Sequence, residues 1–267
     1  GSIRPVGLWE NSISDAFSYK MLTSSLTWPY QLDVLVGMSS DSLLPENHQD
    51  DRFVVRDIKQ VNRQYISYNA ALYLSGNQEG IYHKSKLVPG VEQTPFSSVF
   101  KYMRGVALNL GGTTGGLGTQ AERSVFSSSL KDYKVAPVIC YESIYGSYVG
   151  EFVKNGAQFI AIMTNDAWWG VSAGHRQHWQ YAKLRAIETR RWIVRSANTG
   201  ISGFINPMGE TLAKTKYNEK TAITGKISLS DELTFYTRQG DYLGRLSLFF
   251  GLLFLLHSYV RKRTGKV

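Results

Sequence analysis

The chain has one cysteine in 267 residues. A lone thiol excludes an intrachain disulfide framework and is a poor basis for a metal site. Proline is scarce, at seven residues, which excludes an extended proline-rich protein. Acidic residues are outnumbered, 21 against 30 basic, for a net charge of +9. Four of the basic residues, Arg261, Lys262, Arg263 and Lys266, lie at the C-terminal end, so part of the excess belongs to a tail. No RNA- or DNA-binding signature and no aromatic–basic repeat accompanies the charge, and no nucleic-acid partner is expected. The glycine-rich stretch 111–120 lacks the Gly-Lys-Ser/Thr ending of a phosphate loop and reads as a flexible loop. His175 and His178 have no third ligand at metal-binding spacing, so both read as helix-start residues. There is no internal repeat. The chain opens Gly1-Ser2 with no signal-peptide pattern, and further N-terminal sequence is allowed for.

What is present describes a globular protein: 43% hydrophobic and 19% charged residues, in a chain long enough for one large core. Ser14 to Leu26 reads as a modest helix with Ser14 as N-cap. Residues 33–37 read as a short buried strand, and 39–64 as a polar surface excursion. Tyr68–Leu74 and Ile81–Lys84 form a hairpin across a longer loop. Helices are expected near 146–155, stopped by Asn155-Gly156, and over Gln177–Arg191. Phe159–Thr164 is an apolar strand, and Trp192–Ala197 pairs with Ile201–Ile205. Strands alternate with helices, so the fold class is α/β, with helices covering a sheet.

The cysteine lies in Val135-Ala136-Pro137-Val138-Ile139-Cys140-Tyr141-Glu142-Ser143. An apolar strand runs straight into the thiol and polar residues follow at once, an arrangement that can hold a nucleophile on a sharp turn. The ordinary alternative is a small buried apolar residue. Near the C-terminus, Leu246–Leu256 is almost wholly apolar, and Tyr242–Val260 reaches a length that can span a bilayer. Phenylalanine and leucine fill every face of this segment, and Arg261-Lys262-Arg263 follows as a positive-inside anchor. The alternative is a buried or interfacial helix.

Three blocks carry a resemblance. They are Tyr82-His83-Lys84-Ser85-Lys86-Leu87-Val88-Pro89-Gly90-Val91-Glu92, then Val138-Ile139-Cys140-Tyr141-Glu142, then Thr164-Asn165-Asp166-Ala167-Trp168-Trp169-Gly170 with Gln177-His178 and Arg185-Ala186-Ile187-Glu188. The chain resembles the nitrilase, or carbon–nitrogen hydrolase, superfamily, and within it the apolipoprotein N-acyltransferases. The resemblance implies a nitrilase-like α-β-β-α sandwich over 1–240, lacking its first strands. A transmembrane helix over 242–260 and a basic cytoplasmic tail, 261–267, would follow. It implies Cys140 as nucleophile, Lys84 as oxyanion stabiliser and Glu92 as accessory carboxylate. Tyr141, Glu142 and Asn165 would support the site, and of the adjacent substrate-binding candidates Trp168 and Trp169 one would line a lipid path or the membrane surface. The family's catalytic glutamate follows an early apolar strand. Glu10 has no evident strand before it, so that glutamate is expected upstream.

The implied partners are a phospholipid acyl donor, a diacylglyceryl apolipoprotein acceptor and the membrane, with no cofactor or metal. The implied place is the bacterial inner membrane, with the catalytic domain on the periplasmic face. Two alternatives stay open: a membrane-tethered amidase of small amides, and a catalytically incomplete binding module.

Overall fold

The computed structural model describes residues 8–46, 55–58, 62–89, 91–92, 116–170 and 172–265. Two β-sheets face each other between layers of helix. In the first, β1 (Leu8–Trp9), β2 (Val34–Leu43), β4 (Arg63–Ser75) and β3 (Val55–Ile58) lie in that order, and β5 (Gln78–His83) also pairs with β4. The long β4 carries β3 along its first half and β5 along its second. The second sheet runs β11 (Thr211–Lys214), β10 (Gly203–Ile205), β9 (Ile193–Ala197), β8 (Phe159–Thr164), β7 (Lys134–Ile139) and β6 (Phe126–Ser127). Its centre, β7, β8 and β9, is parallel. Parallel strands are covered on both faces, which is why these three read as nearly unbroken apolar runs.

Alternation along the first sheet separates two cores. Ala71, Tyr73 and Tyr82 face the second sheet and join Val135, Val138, Ile160 and Ile162. On the other face, Leu72 and Leu74 pack with Ile13, Tyr19, Leu22 and Val36 under the N-terminal helices. Helices α3 (Gly146–Lys154) and α4 (Gly174–Thr189) cover the second sheet, supplying Phe152 and Ala182 to the main core. The result is the expected α-β-β-α layering.

The N-terminal region departs from expectation. The helix expected over Ser14 to Leu26 starts and ends later, as one helical run over 17–30. A 3-10 turn, Glu10–Asp15, leads into α1 (Phe17–Leu22), a π-helical turn (Thr23–Thr27) and α2 (Trp28–Tyr30). The N-cap position of α1 is Ala16, not Ser14, and no side-chain hydrogen bond caps it. Strand β2 runs on through Ser39-Ser40-Asp41-Ser42 to Leu43, and β3 follows, so 39–64 is partly sheet. These polar residues have partners across the sheet and from β1, which a sequence pattern cannot show. The expected long hairpin loop is a two-residue turn, Gly76-Asn77, with Ser75 opposite Gln78; Gly76 takes a φ of 55°, where glycine is unstrained. Of the glycine-rich stretch, 111–115 lies outside the described residues.

After β11 the chain reaches α5 (Phe235–Gln239) and then α6 (Tyr242–Thr264). Among the described residues, Tyr242–Arg263 is long and apolar enough to cross a membrane, and none of its apolar window is buried. Asp241 caps α6 by accepting from the Gly244 amide, 2.9 Å.

Candidate active site

Strand β7 ends at Ile139, and Cys140 turns the chain with a φ of 47°. A non-glycine residue in this left-handed region costs on the order of 1–3 kcal/mol and persists only where the surroundings impose it. A 3-10 turn, Cys140–Ile144, follows and leads into α3. The start of α3 is thus one turn removed from the thiol rather than directly beneath it. Cys140 is half-buried at the edge of the main core.

Two buried polar networks hold this turn. The first centres on Glu142, which is fully buried. Its Oε2 accepts from the Ile139 amide at 2.8 Å. Its Oε1 accepts from the Ser85 amide at 2.7 Å, from Tyr82 Oη at 2.7 Å and from Tyr148 Oη at 2.8 Å. One carboxylate therefore ties the residue before Cys140 to the residue after Lys84, bringing both segments to one place. Burial pushes the Glu142 carboxyl up, outweighing the amides of Ile139 and Ser85 and the two hydroxyls. The same burial, with Glu142 beside them, raises the Tyr82 and Tyr148 phenols. Both therefore remain donors.

Lys84 continues the β5 ladder, its amide donating to the Asn69 carbonyl at 2.8 Å. Its side chain has no solvent exposure and ends between the two oxygens of Glu92, at 2.8 and 2.7 Å. Glu92 is held in turn by Asn69 Nδ2 at 2.9 Å and by the Val88 amide at 2.7 Å. A buried lysine is exceptional, and a buried charge needs this kind of pairing. Lys84 and Glu92 thus form one ion pair, and Glu142 ties the residue after Lys84 to the residue before Cys140.

The second network was not foreseen. His178, read from sequence as a helix-start residue, is buried on the inner side of α4. Its Nε2 lies 3.0 Å from the Cys140 carbonyl and 2.9 Å from Ser143 Oγ. Its Nδ1 lies 2.9 Å from Asp166 Oδ1, and Arg195 donates to Asp166 Oδ2 at 2.7 Å. Burial would raise the Asp166 carboxyl, but the His178 hydrogen bond and the Arg195 charge hold it below its ordinary value. The Asn198-Thr199-Gly200 turn lies on this carboxylate, where a Gly200 Cβ would collide with Asp166. A sequence signal did exist. His178, Ala182 and Arg185 follow helical spacing along the apolar side of α4, so a buried histidine there needs polar partners.

The remaining expected residues are placed less centrally. Asn165 accepts from the Ala167 amide at 3.2 Å and caps the 3-10 turn Asp166–Trp169. Trp169 is 44% exposed; the side chain of Trp168 lies outside the described residues. The Tyr141 ring meets Tyr145 edge-on at 5.4 Å. Arg185 and Glu188 form an i,i+3 ion pair, 2.8 Å.

Glu10 requires a correction. It does follow a strand, because β1 pairs in parallel with β2. Its carboxylate, however, accepts from Ser40 and lies 2.7 Å from His83 Nε2. His83 and Lys84 are neighbours on an extended segment and point to opposite faces, so Glu10 lies across the sheet from the Lys84 ammonium. The contacts with His83 and Ser40 outweigh burial and lower the Glu10 carboxyl.

Residues 53–233 match the family model described as carbon-nitrogen hydrolase. An apolipoprotein N-acyltransferase of Chlorobaculum tepidum is 35% identical over 204 residues, covering 75% of this chain and 38% of that protein. The enzyme of the same name from Haemophilus influenzae is 34% identical over 190 residues, covering 71% of this chain and 36% of that protein. That of Rickettsia prowazekii is 31% identical over 207 residues, covering 74% and 39%. The chain thus spans less than two-fifths of the length of each of these relatives.

Proposed function

From the premise that the chain belongs to the carbon–nitrogen hydrolase family, we propose that it is the acyl-carrying part of an apolipoprotein N-acyltransferase. The observation that carries the reading is the Glu142 carboxylate, which joins the Lys84 segment to the strained Cys140 turn. The names of the relatives support the choice of acyl transfer over other chemistry of the family.

In this reading the Cys140 thiolate attacks the ester carbonyl carbon of a phospholipid. The oxyanion that forms is met by the Lys84 ammonium and by the Tyr141 backbone N–H. Glu92 holds the ammonium in place. The carbon–oxygen ester bond breaks, the lysophospholipid oxygen takes the proton that the catalytic base had removed from the thiol, and a thioester remains on Cys140. The free α-amine of a diacylglyceryl-cysteine N-terminus then attacks the thioester carbon. The carbon–sulfur bond breaks, an amide forms, and the one proton lost by the amine passes through the catalytic base to the departing sulfur.

Both substrates reside in a bilayer, which suits an enzyme anchored by α6. The exposed Trp169 borders the lipid path in this proposal. The basic cluster after α6 supports, by the positive-inside tendency, a cytoplasmic tail and a periplasmic position for residues 1–240 at the inner membrane. The family's glutamate base is assigned to upstream sequence, since Glu10 engages His83 and Ser40 on the opposite face.

The test uses the full-length gene product in detergent, with a labelled phospholipid and a diacylglyceryl peptide. Label moving to the peptide amine is expected. Label appearing only as free fatty acid would replace acyl transfer with hydrolysis. In the same assay Glu10→Gln is expected to stay within about tenfold of wild type; a loss on the order of 1,000-fold would make Glu10 the base.

A further inference from the structure

The Cys140 carbonyl is the meeting point of the second network. It faces His178 Nε2 at 3.0 Å and accepts from Ser143 Oγ at 2.8 Å. Behind the ring, Asp166 is held by Arg195, by Thr164 Oγ1 at 3.0 Å and by its own amide's bond to the Thr199 carbonyl at 2.6 Å. His178, Asp166 and Arg195 are all buried. Support for α4 alone would not need this arrangement, because apolar side chains fill such space at lower cost. The network ends on one particular peptide group, the one between the nucleophile candidate and Tyr141.

A peptide unit is planar and trans, so its C=O and N–H point to opposite sides. Whatever draws the Cys140 carbonyl toward α4 aims the Tyr141 N–H the other way. That N–H is the backbone donor assigned to the oxyanion above. We propose that His178 is a positioning residue that fixes the orientation of the Cys140–Tyr141 peptide, and with it both the left-handed turn and the aim of the oxyanion donor. Asp166 and Arg195 act through the ring by holding it in place. The inference rests on the acyl-transfer reading for its reaction, but not for its geometry.

The experiment compares two reactions of one thiol. Acylation forms an oxyanion and uses the oriented N–H; alkylation by iodoacetamide does not. Wild type, His178→Leu, His178→Gln and Asp166→Asn are assayed in the full-length protein, with thermal unfolding recorded for each. The acylating probe is p-nitrophenyl butyrate, alongside the labelled phospholipid. His178→Leu is expected to slow acylation on the order of 100-fold in kcat with little change in KM, while alkylation stays within about threefold. His178→Gln, which keeps a donor near the Nε2 position, is expected to recover most of the rate. Asp166→Asn gives the same split at smaller size, and carries the test if His178→Leu loses its fold.

Acylation at the wild-type rate in the folded variants would overturn the proposal. A parallel fall of acylation and alkylation would overturn it as well, since that reports general distortion of the turn. If wild type reacts with the activated ester but not with phospholipid, the acyl-donor reading fails while the test of His178 still stands.

Discussion

The surroundings of Cys140 and the helix α6 break the same rule in opposite directions. Around Cys140, Lys84, Glu142 and Asp166 have no solvent exposure. Along α6, Phe254 is 71% exposed and Leu248 and Leu255 are each 65% exposed. Globular proteins ordinarily bury apolar side chains and leave charged ones in water. Each exception needs compensation. The buried charges obtain it internally, from hydrogen bonds and ion pairs that also fix the geometry of the turn. Among the described residues, none of the apolar window of α6 is buried, and its length and composition are those of a helix able to cross a bilayer. Under the proposed function these are two separate requirements: internal order for the turn and a bilayer around the helix.

The comparison can be broken from the inside first. Replacing Glu142 by alanine leaves the amides of Ile139 and Ser85 and the hydroxyls of Tyr82 and Tyr148 without their acceptor. A loss of about 3–5 kcal/mol of stability is expected, read by denaturant unfolding. Lys84→Met tests charge rather than packing. Acyl-adduct formation should fall by about 100- to 1,000-fold, equivalent to about 3–4 kcal/mol, as when an oxyanion donor is removed. From the outside, Leu252→Arg places a charge in the middle of α6. It should cost about 2.5–3.5 kcal/mol of membrane insertion and leave unfolding of the rest of the chain unchanged, measured by fractionation and thermal melting.

The smallest effect sharpens the picture of the buried charges by pH. Asp166 has a lowered carboxyl, so the unfolded chain takes up its proton first. Its stabilisation is present above the ordinary carboxylate range and is lost as pH falls through the folded value. Glu142 is raised, so its contribution has the opposite sign: it is fullest below the ordinary value and declines as pH rises through the folded one. Asp166→Asn should therefore flatten the acid limb of a stability–pH curve, and Glu142→Gln the limb above it. Each change should amount to about 1.4 kcal/mol for every tenfold difference in proton affinity between the folded and the unfolded chain.

The second sheet was legible in the sequence because its parallel strands are buried on both faces and read as continuous apolar runs. Phe159–Thr164 falls where expected, and so does the strand entering Cys140. The first sheet was half legible. Its β2 strand continues through serines and an aspartate that look like loop. Ser40 is buried against Glu10, and Asp41 accepts from Ser67, contacts that only the fold creates. The site divides the same way. Lys84, Glu92, Cys140 and Glu142 stand in short blocks to which the family resemblance attaches roles; Asp166 and His178 stand in its third block with no role attached. His178, Asp166, Ser143 and Arg195 converge from a helix, two 3-10 turns and a strand, and no local pattern states that they meet. The strand before Glu10 was missed because two residues are too few for a periodicity.

The central claim is that Cys140 carries an acyl group. The most direct measurement is the intact mass of the full-length protein after exposure to phospholipid, for wild type and Cys140→Ala. The account predicts a fatty-acyl adduct on wild type, released by hydroxylamine as a thioester should be, and none on the alanine variant. A folded wild-type protein that gains no adduct, or an adduct that survives in Cys140→Ala, would contradict it.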